Sequence, residues 1–257
     1  MGDLTAQAEV GDGALFLPTR QIEDHRATIT GIELNHLRRV LRLRPGDRVV
    51  VFDDAGCEHD GIIRSLSQDC GEIEIIRSYQ VNNESPLKIT LALGLTKGEK
   101  MDWVVEKATE LGVHTVVPFF SSYTIPKLNE RKMAQRSERW QKIAVSAAKQ
   151  CGRVRIPQIM TLTEFRDLLE PIPRDPLRLL FWEKECQHGL SELKETRATI
   201  SEVVVMIGPE GGFSAQESAL ALEQGFKSVR LGPRILRAET AAVAALSAVQ
   251  LLWGDLL

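Results

Sequence analysis

The chain has 257 residues, 43% apolar and 26% charged, with a formal net charge of −3, enough apolar chain to bury one large core or two smaller ones. No early apolar stretch resembles a signal peptide, and the longest uncharged run, Thr240 to Gly254, is too short for an easy membrane span, so the expected setting is the cytoplasm. The four cysteines (Cys57, Cys70, Cys151, Cys186) lack CxxC spacing and the five histidines form no HxxxH pair, which argues against a disulfide framework or a zinc site.

The first part of the chain, residues 1–80, carries short β-rich segments at Arg48–Phe52, Gly61–Arg64 and Gly71–Ile76, separated by glycine and aspartate, the pattern of a small barrel. One helix interrupts them. Thr30-Gly31-Ile32-Glu33 reads as a capping box, Leu34, Leu37, Val40 and Leu41 recur at helical spacing, and Pro45-Gly46 ends the segment. Arg38, Arg39 and Arg42 then fall away from the apolar stripe, and His36 reads as a packing or locally hydrogen-bonded residue. Arg38, Arg39, Arg42, Arg44 and Arg48 against Asp47 give this stretch a charge of +4.

Val81-Asn82-Asn83-Glu84-Ser85-Pro86 is a polar linker, and the domain boundary is placed there. Over 87–257 strands alternate with helices, the signature of an α/β sheet, with strands expected near residues 87–95, 115–120, 177–183, 203–207 and 228–232. Thr96-Lys97-Gly98-Glu99 reads as the cap of a helix carrying Met101, Val104, Val105, Ala108 and Leu111 on one face and ending at Gly112. A later helix buries Trp140, Ile143, Ala144, Ala147, Ala148 and Cys151 and leaves Arg136, Arg139, Lys142 and Lys149 for a basic face. From Lys127 to Arg155, nine basic residues stand against Glu130 and Glu138, a local charge of +7. Two basic clusters in a mildly acidic chain fit a polyanion such as nucleic acid. The last helix, Ala238 to Trp253, has no charge after Glu239 and is apolar nearly all round, which points to burial against a second helix, most naturally at a subunit interface.

Two loops concentrate the chemistry. Val203–Ile207 is an unbroken apolar run, as expected for a parallel strand covered on both faces, and it leads into Gly208-Pro209-Glu210-Gly211-Gly212-Phe213-Ser214. Ser214 and Glu217 form a second capping box. The other loop is Leu231-Gly232-Pro233-Arg234-Ile235-Leu236-Arg237-Ala238-Glu239-Thr240-Ala241. Neither fits GxxxxGK[ST] or GxGxxG, and Glu210 would repel phosphate at a helix N-terminus. Bare main chain held by Pro209 and Pro233 suits an adenosine-type ligand without a polyphosphate. Glu239 suits the first turn of a helix through the macrodipole, whereas Arg237 there is unfavourable by a few tenths to about 1 kcal/mol and invites an anionic partner.

These two segments closely resemble the RsmE-type ribosomal RNA small subunit methyltransferases of the SPOUT superfamily. The resemblance covers nearly the whole chain, including His36-Leu37-Arg38-Arg39-Val40-Leu41-Arg42 with Pro45-Gly46-Asp47, Lys97-Gly98-Glu99-Lys100-Met101 with Glu110-Leu111-Gly112-Val113, and Trp140-Gln141-Lys142-Ile143 through Gln150-Cys151-Gly152-Arg153. It implies a PUA-like β-barrel for RNA over 1–80, then an α/β domain over 87–257 with a C-terminal trefoil knot, working as a homodimer. It further implies S-adenosylmethionine as the methyl donor and N3 of a uridine in small-subunit (16S) ribosomal RNA, free or in the assembled subunit, as the acceptor, with no metal. Carried onto this chain, the cofactor site is Gly208, Pro209, Glu210, Gly211, Gly212, Leu231, Gly232, Ile235, Leu236, Arg237, Thr240 and Ala241, with a third wall from the strand end at Leu180 to Glu183. Arg237 and Glu239 are the catalytic pair, with Glu210 as another candidate base. Arg20, Arg38, Arg39, Arg42, Lys149 and Arg153 are the expected RNA contacts. Many members of the family carry an arginine close before the first barrel aromatic; this chain has Gly13-Ala14-Leu15-Phe16, and Arg20 is the expected substitute. Three other readings stay open on the residues: a ribose 2′-hydroxyl methyltransferase of the same superfamily, a non-catalytic RNA-binding protein, and an adenine-nucleotide enzyme.

Overall fold

Two kinds of apolar patterning, alternating before Ser85 and nearly continuous after it, produce two sheets. The computed structural model describes residues 14–53, 55–124, 129–169, 176–184, 189–190 and 199–256; Gly13, Lys127 and Cys186 lie outside them. Two compact units emerge: residues up to Glu84 together with Val145–Ile156, and Ser85–Ala144 together with Pro157–Leu257. Among the described residues no helix is long and apolar enough to cross a membrane.

The first unit holds β1 (Leu15–Phe16), β2 (Ile22–Glu23), β3 (Arg26–Thr30), β4 (Arg48–Phe52), β5 (Cys57–Leu66) and β6 (Cys70–Gln80) in the order β1-β4-β5-β6-β3-β2. All neighbours are antiparallel except β1 and β4. Alternation places Ile29, Val49, Val51, Ile63, Ile73 and Ile75 in one core with Leu34 and Leu37, each such side chain contributing about 1.5–3 kcal/mol on burial.

The expected arginine-bearing helix is shorter and differently wound. It runs as α1 (Gly31–Asn35), continues as one π turn over His36–Val40, closed by Leu41 N–H donating to the His36 carbonyl at 3.0 Å, and ends at Arg42, whose φ is +55°. The Thr30–Glu33 capping box does not form: Thr30 caps without a side-chain hydrogen bond. Glu33 is drawn away because its carboxylate accepts from Lys149 Nζ at 2.5 and 2.6 Å and from Phe16 N–H at 3.3 Å.

In the second unit, β7 (Lys88–Gly94), β8 (Thr115–Phe120), β10 (Thr163–Glu164), β11 (Leu177–Phe181), β12 (Glu202–Ile207) and β13 (Lys227–Val229) form a wholly parallel sheet in the order β10-β8-β7-β12-β11-β13, with β9 (Gln158–Ile159) also on β8. The expected strands match these to within a few residues; the short β9 and β10 and the helix α4 (Phe165–Leu169) had no periodic signal of their own. The expected cap at Thr96 does not form. Helix α2 (Lys100–Glu110) starts after Glu99 without a side-chain cap, and Thr96 Oγ1 is buried with no partner among the described residues. Helix α3 (Glu130–Cys151) crosses from the second unit into the first. Helix α5 (Ala215–Glu223) keeps its capping box, with Glu217 N–H donating to Ser214 Oγ at 3.2 Å and Ser214 N–H to Glu217 Oε2 at 2.8 Å.

Helix α6 (Ala238–Trp253) packs on α2 and β12, burying Ala238, Ala242, Ala245, Leu246, Val249 and Gln250. Gln250 is held by the Leu111 carbonyl and Ser85 Oγ. The expectation of burial all round is therefore met on one face only within a single chain. Thr240 and Leu251 are exposed and Val243, Ala244 and Ser247 half-buried along the other.

Candidate functional site

Register aligns the carboxyl ends of four strands, since Leu93 pairs with Ile207, Ile207 with Phe181, and Phe181 with Val229. The segments leaving those ends converge, as ligand sites of open parallel sheets do. They enclose a cavity of about 440 Å³ lined by residues 181–183, 207–212, 229–238, Ala241 and Lys100. That volume falls within the range of about 300–1,000 Å³ usual for small-molecule sites.

The glycine loop is fixed from below and from both sides. Phe213, 2% exposed, packs against Phe119 and Phe165 with ring centroids 6.3 and 6.1 Å away. Glu217 reaches beyond its own cap to accept from Ser122 N–H at 2.8 Å and Ser121 Oγ at 3.2 Å, tying the loop after β8 to the loop after β12. A Cβ on Gly211 would lie 2.7 Å from Tyr123 Cβ, and Gly212 combines a φ of +69° with Glu183 Oε1 2.7 Å from the place a Cβ would take. Glycine is thus favoured by close approach to Tyr123 at one position and by backbone conformation at the next, where the Glu183 carboxylate could still swing aside.

Ionic contacts join the two loops. Lys100 Nζ lies 3.1 Å from Glu210 Oε1 and 3.4 Å from Glu239 Oε1, and Lys97 N–H also donates to Glu210 Oε1 at 3.1 Å. Burial pushes the Glu210 carboxyl up, but hydrogen bonds from the Lys97 and Glu210 backbone and from Lys100 outweigh it and hold the group below its ordinary value. The hydrogen bond to Glu210 is the main reason that the Lys100 ammonium is held above its own. Arg237 occupies the N-cap of α6 with φ −65° and ψ 151°, caps nothing with its side chain, and lines the cavity. Glu239 Oε2 and Trp182 Nε1 are buried with no hydrogen-bond partner among the described residues.

Of the residues expected at the cofactor, Glu183, Gly208, Pro209, Glu210, Gly211, Gly212, Leu231, Gly232, Ile235, Leu236, Arg237 and Ala241 line this one cavity. Leu180 does not. It is fully buried in the core with Phe165, Phe213 and Phe226, and the wall from β11 is made instead by Phe181, Trp182 and Glu183. Thr240 is exposed on α6 outside the lining, and Glu239 meets the site through Lys100. Lys100 was missed. A signal existed for Lys100, a cation in the first turn of a helix, which is the anomaly that singles out Arg237.

The expected RNA contacts divide. Arg20, Arg38, Arg39 and Arg42 are exposed on the first unit, with Arg38 donating to the Ser67 carbonyl at 3.2 Å. Lys149 and Arg153 need correcting as free RNA ligands. Lys149, its side chain 14% exposed, is bound to Glu33, and Arg153, 7% exposed, is bound to Glu84 at 2.6 Å. A buried cation requires a paired anion, and Glu33 and Glu84 supply these within the first unit, to Lys149 in the last turn of α3 and to Arg153 just beyond it. Among the described residues no group of three or more His, Cys, Asp or Glu is placed to hold a metal, and Cys57 and Cys70 are free thiols.

Comparison with known proteins accords with this geometry. Residues 83–250 match a family profile described as an RNA methyltransferase domain and residues 29–69 one described as an RNA methyltransferase PUA domain. The chain is 35% identical to ribosomal RNA small subunit methyltransferase E of Bacillus subtilis, over 93% of this chain and 97% of that one. It is 33% identical to the Synechocystis protein of the same name, over 93% and 77% of the two chains. A crystal structure of ribosomal RNA small subunit methyltransferase E from Neisseria gonorrhoeae, bound to S-adenosyl methionine, superimposes with a TM-score of 0.84 at 34% identity, covering 95% of this chain and 99% of that one. The profile match over most of the chain and relatives above 30% identity along nearly its full length place this chain in the ribosomal RNA small subunit methyltransferase E family.

Proposed function

We propose that this protein methylates N3 of a uridine in small-subunit (16S) ribosomal RNA, using S-adenosylmethionine held in the cavity between the glycine loop and the start of α6. The carrying observation is that two loops from nearby strand ends line one cavity with main chain at Gly208, Gly211, Gly212 and Gly232. The residues fit the methyl donor. Closely packed glycines let main chain face an adenine edge, and Trp182 Nε1 is an unmet buried donor on the cavity wall. Gly208 to Gly212 and Leu231 to Ala241 would hold it, with Phe181 to Glu183 as the third wall.

When bound, S-adenosylmethionine supplies a methyl group on a sulfonium, whose S–C bonding pair leaves with sulfur as a neutral thioether while uracil N3 forms the new N–C bond. Uracil N3 first has to lose its proton. Glu239 accepts it: Oε2 is buried and unmatched, while Oε1 is held by Lys100. Glu210 suits that task poorly, because a carboxyl held below its ordinary value is a weaker base. Arg237 stabilises the negative charge that develops on the uracil carbonyl oxygens.

The wider reading has the first unit closing as a small barrel that holds RNA through Arg20, Arg38, Arg39 and Arg42. It has the chain after β13 threading into a trefoil knot before α6, and a homodimer forming on the open face of α6, where Leu251 is 46% exposed. The protein then works in the cytoplasm. Single-turnover methylation of ribosomal RNA, followed by nucleoside mass spectrometry, tests it. N3-methyluridine is expected, and Arg237→Ala should slow its formation by about 10²–10³-fold while S-adenosylmethionine affinity, measured by calorimetry, changes far less. A 2′-O-methylated nucleoside would overturn the base assignment. Absence of S-adenosylmethionine binding would overturn the enzyme, and competition by ATP would favour a nucleotide enzyme.

A further inference from the structure

Lys100 opens helix α2, where a cation opposes the macrodipole and needs compensation. The compensation comes from two places. Nζ lies 3.1 Å from Glu210 Oε1 in the glycine loop and 3.4 Å from Glu239 Oε1 in the first turn of α6, with side chains 30%, 30% and 18% exposed respectively. Among the described residues no other cation pairs with carboxylates on both loops. Without it, two anions would face each other across the mouth of the site. Lys97 N–H holds Glu210 from the same turn, so the entry to α2 grips the glycine loop twice.

We propose that Lys100 is a positioning residue, a cationic tie that fixes the glycine loop and the start of α6 at the separation at which both grip the methyl donor. This rests on the methyltransferase reading above. The tie also orients chemistry: with Oε1 engaged by Lys100, the Glu239 carboxylate cannot turn freely, and Oε2 is left as the unmatched acceptor. Lys100 therefore acts through Glu239 and the two loops.

The test is calorimetry on the full chain with S-adenosylhomocysteine, whose uncharged sulfur removes any direct effect of charge at position 100 on a sulfonium. Lys100→Met should raise its Kd by about tenfold through lost preorganisation, with Lys100→Arg returning to within about threefold of the wild type. Glu210→Gln breaks one arm of the same tie, so the double variant should bind no more than about twofold more weakly than Lys100→Met alone. Thermal unfolding identifies a variant that has not folded; the Lys100→Arg and Glu210→Gln proteins then decide, the latter expected to weaken binding by itself. Unchanged Kd in folded Lys100→Met, or strictly multiplicative effects in the double variant, would overturn the tie. A wild-type protein that binds neither S-adenosylhomocysteine nor S-adenosylmethionine would instead overturn the methyl-donor reading, and the tie with it.

Discussion

Replacing Gly94 by alanine isolates the geometric demand of the cofactor loop. Gly94 is the last residue of β7 and is not among the glycines with positive φ, so an added methyl group introduces no backbone strain of its own. It would nonetheless meet main chain, lying 2.5 Å from Pro209 N and Cδ and 2.9 Å from the Gly208 carbonyl carbon. Carbon atoms rest comfortably at about 3.5–4.0 Å, so the glycine loop must retreat by roughly 1 Å. Overpacking of this kind costs about 1–3 kcal/mol, and each kcal/mol lowers Tm by about 2–4 °C in a chain of this size. A misplacement of about 1 Å in a reacting geometry costs on the order of 10²-fold in rate. Differential scanning calorimetry and titration with S-adenosylmethionine measure the two effects separately, and Kd should rise at least about tenfold, equivalent to about 1.4 kcal/mol. A Gly94→Ala protein with lowered Tm but wild-type Kd and methylation rate would refute the claim that the loop's position grips the donor; one with neither changed would refute the packing itself.

Further outcomes follow from the charged and buried groups. Arg153→Met strands Glu84 in a site where both side chains are largely enclosed, so urea unfolding monitored by circular dichroism should show a loss of about 3–5 kcal/mol, while RNA affinity of the folded protein barely moves; the reverse pattern would restore Arg153 as an RNA ligand. With Lys149 and Arg153 engaged internally and Arg20, Arg38, Arg39 and Arg42 displacing counterions, the log-log salt dependence of RNA binding should have a slope of about −2.8 to −3.6. A slope near zero would contradict binding by that arginine surface. Tyr79, one of two tyrosines, is pushed up to about 12 by burial and by its hydrogen bond to Glu58. A phenol raised in the folded state contributes stability that is complete below its unfolded value near 10 and fades as pH rises through about 12. Ultraviolet titration should show one phenolate forming late, and Glu58→Gln should bring it earlier; two coincident transitions in the wild type would exclude the raised value.

Much of this protein is written locally. The apolar run Val203–Ile207, the capping box of Ser214 and Glu217 and the alanine-rich α6 lie where their periodicity and end signals put them, because each depends on neighbours within a turn or a strand. The loops of the cavity were equally legible, since glycine and proline there report backbone demands directly. What failed had a long-range cause. Thr30 and Glu33 spell a capping box, but Lys149, 116 residues away, takes the carboxylate. Arg153 and Lys149 belong to a basic sequence cluster, yet folding turns them onto Glu84 and Glu33. Leu180 and Phe181 are adjacent in one apolar strand, and only the packing of Phe165, Phe213 and Phe226 decides which one enters the core cluster and which faces the cavity. The partnership of Lys100 with Glu210 and Glu239 is of the same kind. Composition and spacing determine which elements form and which residues can approach a ligand, while the pairing of charges depends on distances that exist only after the sheet has brought three separate loops to one edge.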